Sequence, residues 1–173
     1  MTDDVALRPC QASDRDAVHE IYSAAFPDED LIPLLQDLSV CGEFDAFVAA
    51  AADRPVGHIG FTRCGLQDDD RFAALLGPLA VRPEFSRQGL GGRLVRSGLD
   101  AMERRGAAVI LVLGDPAYYA QFGFEPEAAV LPPYPLREDW ADAWRSKWVS
   151  PNGLHSPKRL VVPEAWANPA LWS

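Results

Sequence analysis

Arg87-Gln88-Gly89-Leu90-Gly91-Gly92 places three glycines within four residues, after an apolar run and before an amphipathic one. The longer segment Val81 to Val95, VRPEFSRQGLGGRLV, reads as a strand end, a tight turn and the first turns of a helix. N–H groups ahead of a first helical turn have no intrahelical acceptor, and the helix dipole makes that end positive. Such a turn can hold a diphosphate. Glycine lets the ligand come close to the backbone and allows φ > 0. Arg87, and with it Arg93, can add charge-assisted bonds. Two nucleotide motifs fail on spacing. A P-loop needs Gly-x-x-x-x-Gly-Lys-Ser/Thr, and no such run occurs. A dinucleotide fingerprint built on Gly89 and Gly91 needs a third glycine where Leu94 stands, and no strand-end acid follows about 20 residues later. An anion cradle and a plain Gly-rich turn both remain.

The elements around this turn must position it. The 173 residues, 48% apolar and 24% charged, suit a single domain spanning 1–173 with a real core. Val5 to Arg8 is a short strand. Ser13 then caps a helix running to Ala25, with Ala17, Val18, Ile21, Tyr22 and Ala25 on one side. Glu29 to Val40 reads as a second helix, with Pro33 in its first turn. Phe44 to Ala52 and Val56 to Arg63 form a hairpin around Asp53-Arg54-Pro55, followed by a polar loop at Gly65 to Asp70. Phe72 to Val81 is apolar throughout and so central. Gly77-Pro78 lies inside it, and proline cannot donate to a ladder, so this strand should be locally unpaired. Leu90 to Arg105 is a helix ended by Gly106, and Val109 to Leu113 a buried strand parallel to the one before it. Gly114-Asp115-Pro116 leads to a short helix, Ala117 to Phe122, stopped by Gly123. A helix over Glu138 to Val149 and a strand over Arg159 to Val162 complete an α/β chain with a mixed sheet.

The segment now resembles a known one. Gln88-Gly89-Leu90-Gly91 is similar to the last four positions of the acyl-CoA loop of the GNAT N-acetyltransferase superfamily, Gln/Arg-x-x-Gly-x-Gly/Ala. Ser86 stands where Gln or Arg is usual. LGPLAVRPEF looks like the family's fourth strand, and LGDPAYYAQFGF like its fifth strand, short helix and Gly-Phe ending. The combination resembles the YhbS-like branch over residues 5–130; residues 131–173 form a Pro/Trp-rich extension of the same domain. The resemblance implies a mostly antiparallel, twisted mixed sheet, splayed between its fourth and fifth strands and flanked by helices. It implies an enzyme moving acetyl from acetyl-CoA to a primary amine by direct attack, with no metal. A non-catalytic acyl-CoA sensor or interaction module is the alternative.

Roles follow from the resemblance. Arg87, Gln88, Gly89, Leu90, Gly91 and Gly92 would hold the diphosphate. The backbones of Leu79, Ala80 and Val81 would pair with pantetheine in the splay, Leu79 also polarising the acetyl carbonyl. Tyr119, four residues before Gly123, would protonate the leaving thiolate and touch the cofactor; Tyr118 points about 100° away and packs. The base is open. Phe72 to Val81 holds no acid, so His58 in VGHIGFT and Glu29 are the candidates, beside ordered water.

A net charge of −9 argues against nucleic acid and anionic membrane as partners, and favours a small-molecule or peptide amine. No apolar run approaches the ~20 residues of a membrane span, and the acidic start MTDDVALRPC is not expected to be a signal peptide. Cys10, Cys41 and Cys64 are odd in number and form no C-x-x-C pair, which suggests neither disulfides nor zinc and points to the cytoplasm. All five tryptophans fall in the last 34 residues. Trp140, Trp144 and Trp148 at i, i+4, i+8 read as a helix stripe that packs on the sheet, makes a homodimer interface or walls a substrate pocket.

Overall fold

The computed structural model describes residues 4–173, which divide into two compact units. The first contains the described residues up to Phe61 together with Gly77–Gly98. Here β1 (Val5–Pro9) pairs antiparallel with β2 (Phe44–Ala51), Val5 facing Ala51 and Pro9 facing Phe47. β3 (Arg54–Leu66) and β4 (Asp69–Val81) follow in the order β1-β2-β3-β4. Ala52 and Asp53, at φ 48 and 63, make the two-residue turn between β2 and β3. α1 (Arg15–Ala25) and α2 (Ile32–Ser39) connect β1 to β2. Their apolar faces bury Val18, Ile21, Tyr22 and Leu35 against Val48 and Ala80.

Ser13 does not cap α1. Ala12–Asp14 forms a 3-10 turn instead, and Asp14 accepts from the Gln11 backbone N–H at 2.8 Å. Arg8 holds that carboxylate with two bonds of 2.7 and 2.9 Å. α1 thus starts after Asp14, whose carboxylate is taken up by Arg8 and the Gln11 N–H, and no side chain caps the helix. α2 begins at Ile32 rather than Glu29, because Pro33 is tolerated only in a first turn. Asp28, Glu29 and Asp30 are therefore an exposed turn.

α3 (Leu90–Arg104) leaves the first unit at Gly98. A Cβ on Gly98 would overlap the Phe61 ring, so this helix approaches β3 closely only through a glycine. Gly106, at φ 90, ends the segment.

The second unit contains Thr62–Leu76 and Leu99–Ser173. β4 pairs with β5 (Val109–Leu113) in parallel, from Ala73 opposite Val109 to Leu76 opposite Val112. β3 and β4 run closer together than expected: the polar loop shrinks to Gln67-Asp68, with Asp68 at φ 56. After β5 come α4 (Pro116–Ala120), β6 (Glu125–Pro126), β7 (Val130–Leu131), β8 (Trp144–Trp148) and β9 (Lys158–Val161). β8 pairs antiparallel with β5, and β9 pairs with both β3 and β7.

The helix expected over Glu138 to Val149 is absent. Glu138–Ala143 is a 3-10 segment and Trp144–Trp148 is β8. A spacing of four is even, so it puts two residues on one face of a strand as well as of a helix. Only Trp140, in the 3-10 segment, falls outside the strand. Trp144 is buried and donates to the Val130 carbonyl at 2.7 Å; Trp148 donates to Glu127 at 2.8 Å. Trp166 donates to Thr62 and Trp172 to the Trp166 carbonyl. Four of the five indoles thus spend their N–H groups inside this unit.

Candidate active site

The ladder between β4 and β5 ends at Leu76 and Val112, yet β4 continues five residues to Val81. Gly77, at φ 147 and joined by a cis peptide to Pro78, is the first β4 residue beyond that ladder. On its other side β4 stays tied to β3: the Arg82 N–H donates to the Val56 carbonyl at 2.8 Å. Leu79, Ala80 and Val81 therefore lie on the stretch that has run past its β5 partners, as expected for a splayed fourth strand.

β4 then delivers the glycine turn. Pro83–Phe85 makes one 3-10 turn, and Arg87 and Gly89 take left-handed conformations at φ 60 and 79. A left-handed arginine is uncommon and costs energy, which the turn sustains. A Cβ on Gly89 would meet nothing, so glycine is needed there for its φ and not for space. The first bond of α3 runs from the Arg93 N–H to the Gly89 carbonyl at 3.0 Å. The N–H groups of Leu90, Gly91 and Gly92 precede it and point out of the helix end. The Arg87 side chain is exposed and has no ion pair among the described residues. Arg93 is engaged elsewhere, donating to the Val5 carbonyl at 3.0 Å. Gln88 folds back on the Glu84 carbonyl at 3.5 Å, and Ser86 donates to the Pro83 carbonyl.

Tyr119 belongs to the second unit. Asp115 caps α4 by accepting from the Ala117 N–H at 2.9 Å. The Tyr119 ring lies over Gly114, where a Cβ would overlap it, and packs edge-on against Tyr118 and Phe124. The ring is buried, and burial raises the phenol pKa far above its usual value. Its hydroxyl has no hydrogen-bond partner among the described residues, whose fully buried polar side-chain atoms are all paired. The hydroxyl therefore reaches an opening and keeps its proton there.

His58, in the first unit, is 2% exposed. Its Nδ1 shares a 2.7 Å hydrogen bond with the Tyr22 hydroxyl. Burial lowers its pKa to about 4, against a weak opposing pull from Asp14. It lines a cavity of about 310 Å³ between α1, α2 and β2. Glu29 is exposed and its N–H caps the Phe26 carbonyl at 3.2 Å. Tyr22, the partner of His58, was legible only as a core position of α1; nothing in the chain pairs two residues 36 positions apart. Gly114 likewise read as a turn residue, and only the folded ring over it shows its use.

Known proteins match this arrangement. The model of the acetyltransferase (GNAT) family fits residues 15–124, and the chain belongs to that family. It is 35% identical over 163 residues to the uncharacterized N-acetyltransferase YjhQ of Escherichia coli, covering 88% of this chain and 90% of that one. It is 32% identical to the uncharacterized N-acetyltransferase YhbS of the same organism, over 65% of this chain and 68% of the relative. The crystal structure of Escherichia coli YhbS with CoA superposes at a TM-score of 0.85 and 24% identity, covering 95% and 93% of the two chains. A Brucella melitensis GNAT acetyltransferase with acetyl-CoA gives 0.76 at 22% identity, covering 93% and 97%. The chain is thus a member of the GNAT acetyltransferase family, and a non-catalytic module is not favoured. The match to YjhQ also carries the likeness beyond the resemblance at 5–130. Among the described residues no helix is long and apolar enough to cross a membrane, and no cluster of three or more His, Cys, Asp or Glu could hold a metal.

Proposed function

We propose that the chain acetylates a primary amine by direct attack on acetyl-CoA, as one functional domain covering 1–173. The observation that carries this reading is the left-handed turn Arg87–Gly92, set at the start of α3 just after a strand that outruns its ladder. Its free N–H groups and the unpaired Arg87 hold the diphosphate, with Gln88 shaping the turn. The backbones of Leu79, Ala80 and Val81 take the pantetheine, and the Leu79 N–H polarises the acetyl carbonyl. The amine nitrogen bonds the carbonyl carbon, the C–S bond breaks, and Tyr119 gives its proton to the departing sulfur. His58, unprotonated at pH 7, accepts the amine's proton; Glu29 is the alternative base.

The three free cysteines support a cytoplasmic enzyme, and the net charge of −9 supports one without nucleic-acid or membrane partners. A homodimer would use a surface other than the internally bonded tryptophans.

Calorimetry should detect acetyl-CoA binding, and a thiol-release assay over an amine panel should detect turnover. Lack of binding at millimolar acetyl-CoA overturns the reading. Replacing His58 and Glu29 in turn by glutamine identifies the base by which variant loses the acid limb of kcat/KM, expected near pH 4 for His58.

A further inference from the structure

The cavity beside His58 has no assigned ligand, and its chemistry is unlike that of the rest of the surface. At about 310 Å³ it sits at the lower end of the ~300–1,000 Å³ range of small-molecule pockets. Leu35, Val40 and Phe44 give it apolar walls. No aspartate or glutamate lines it, although the chain has 25 acids against 16 Lys and Arg. Its ionisable nitrogens come from Arg15, His19 and His58. Arg15 is a permanent cation and has no acidic partner among the described residues. Val40, on the rim, is 85% exposed, the most exposed of the large apolar side chains described. His58 uses Nδ1 on Tyr22, while Nε2 has no partner among the described residues. Since no fully buried polar side-chain atom among the described residues goes unpaired, Nε2 keeps accessible surface, and the cavity is the opening that His58 lines.

We propose that this cavity seats the acceptor, and that the acceptor is a free apolar amino acid or a close analogue: an α-amine with a carboxylate and an apolar side group. The proposal rests on the acetyltransferase reading. Arg15 pairs with the carboxylate, the apolar walls and Val40 cover the side group, and the amine lies toward His58 Nε2. In the transfer the amine nitrogen gains the acetyl carbon, the thioester C–S bond breaks, sulfur leaves with the electron pair and takes a proton, and the amine's proton goes to His58 and on to water. A polyamine or aminoglycoside is disfavoured, because a polycation would meet Arg15 and no acid.

The test is thiol release at saturating acetyl-CoA with L-phenylalanine, L-leucine, phenethylamine and spermidine. Both amino acids should exceed phenethylamine and spermidine by 100-fold or more in kcat/KM. Arg15 is exposed, so Arg15→Leu should fold, and it should shrink the preference for phenylalanine over phenethylamine to within threefold, mainly by raising KM for phenylalanine. Calorimetry of phenylalanine on the CoA-bound protein should show the same loss of affinity in that variant. An unchanged preference in Arg15→Leu, or turnover of spermidine but not of the amino acids, overturns the proposal and leaves the acetyltransferase reading intact. Silence with both amino acids overturns the proposal even where acetyl-CoA binds, whereas a protein that binds no acetyl-CoA overturns both.

Discussion

His58 in the first unit and Tyr119 in the second are both buried ionisable rings, and burial acts on both in the same way. It disfavours the charged form. For a histidine the charged form is the protonated one, so the pKa falls, to about 4. For a tyrosine it is the deprotonated one, so the pKa rises. One physical cause therefore leaves an empty acceptor in one unit and a full donor in the other. Their hydrogen bonds separate them further. His58 is steadied by Tyr22 through Nδ1, whereas the Tyr119 hydroxyl is left unbonded. An amide-forming transfer needs both a proton acceptor and a proton donor, and desolvation alone can prepare the two.

The sharpest way to break this pairing is at the donor. Tyr119→Phe keeps the ring over Gly114 and removes only the hydroxyl. Turnover should fall about 10²-fold or more, while acetyl-CoA affinity by calorimetry stays within about twofold. Equal losses in both would make Tyr119 a binding residue rather than an acid.

The acceptor can be read through stability. The folded pKa of His58 lies below its ordinary 6.5, so as pH falls the unfolded chain takes up the proton first. Stability from this group is whole above pH 6.5 and is lost progressively from there to about pH 4. At 1.36 kcal/mol per unit the loss reaches about 3 kcal/mol. Glu127 and Asp14 are both held low. Burial alone would raise Glu127, but bonds from Ser146, Val130, Trp148 and Ala129 outweigh it; Asp14 is lowered chiefly by Arg8. Their contributions are lost only below their ordinary values of 4.5 and 3.8. Urea unfolding between pH 6.5 and 4.5 therefore isolates His58, and His58→Gln should flatten the curve there. A wild-type curve already flat in that window would mean that His58 is solvated.

Much of this comparison was readable in the chain, and the limits have physical reasons. The glycine turn was legible because left-handed φ values and close approach demand particular residues at fixed spacing. The place of Tyr119 on a short helix before Gly123 was legible through the resemblance of GDPAYY and FGF. The strand at Trp144–Trp148 was not, because a spacing of four satisfies both a helix and a strand. Ser13 misled because a hydroxyl cap is a local signal, while the Arg8–Asp14 pair that replaces it joins a strand to the turn after it. The His58–Tyr22 bond and the acid-free cavity depend on how α1 lies over β3, which no short-range pattern encodes.

Gly114→Ala tests whether Tyr119 is positioned as well as present. The added Cβ would overlap the Tyr119 ring, which must tilt because Tyr118 and Phe124 flank it. A displacement near 1 Å is enough to cost up to ~10²-fold in a reaction that depends on alignment. We expect a fall in kcat of about tenfold, smaller than for Tyr119→Phe, since the hydroxyl remains. Acetyl-CoA affinity should hold.

The smallest effect should come from Tyr22→Phe. It removes the hydroxyl that His58 Nδ1 contacts and leaves a buried ring nitrogen without a partner, at a cost of about 1–3 kcal/mol in unfolding free energy. The consequence for chemistry differs from that of His58→Gln. Without Tyr22 the imidazole still presents a nitrogen to the cavity, but nothing selects its tautomer, so the acceptor nitrogen is available only part of the time. Turnover should therefore drop severalfold and its pH profile should keep its shape. If the profile instead changes shape as it does in His58→Gln, Tyr22 belongs to the proton path itself, and the acceptor in the first unit is a two-ring relay rather than a single imidazole.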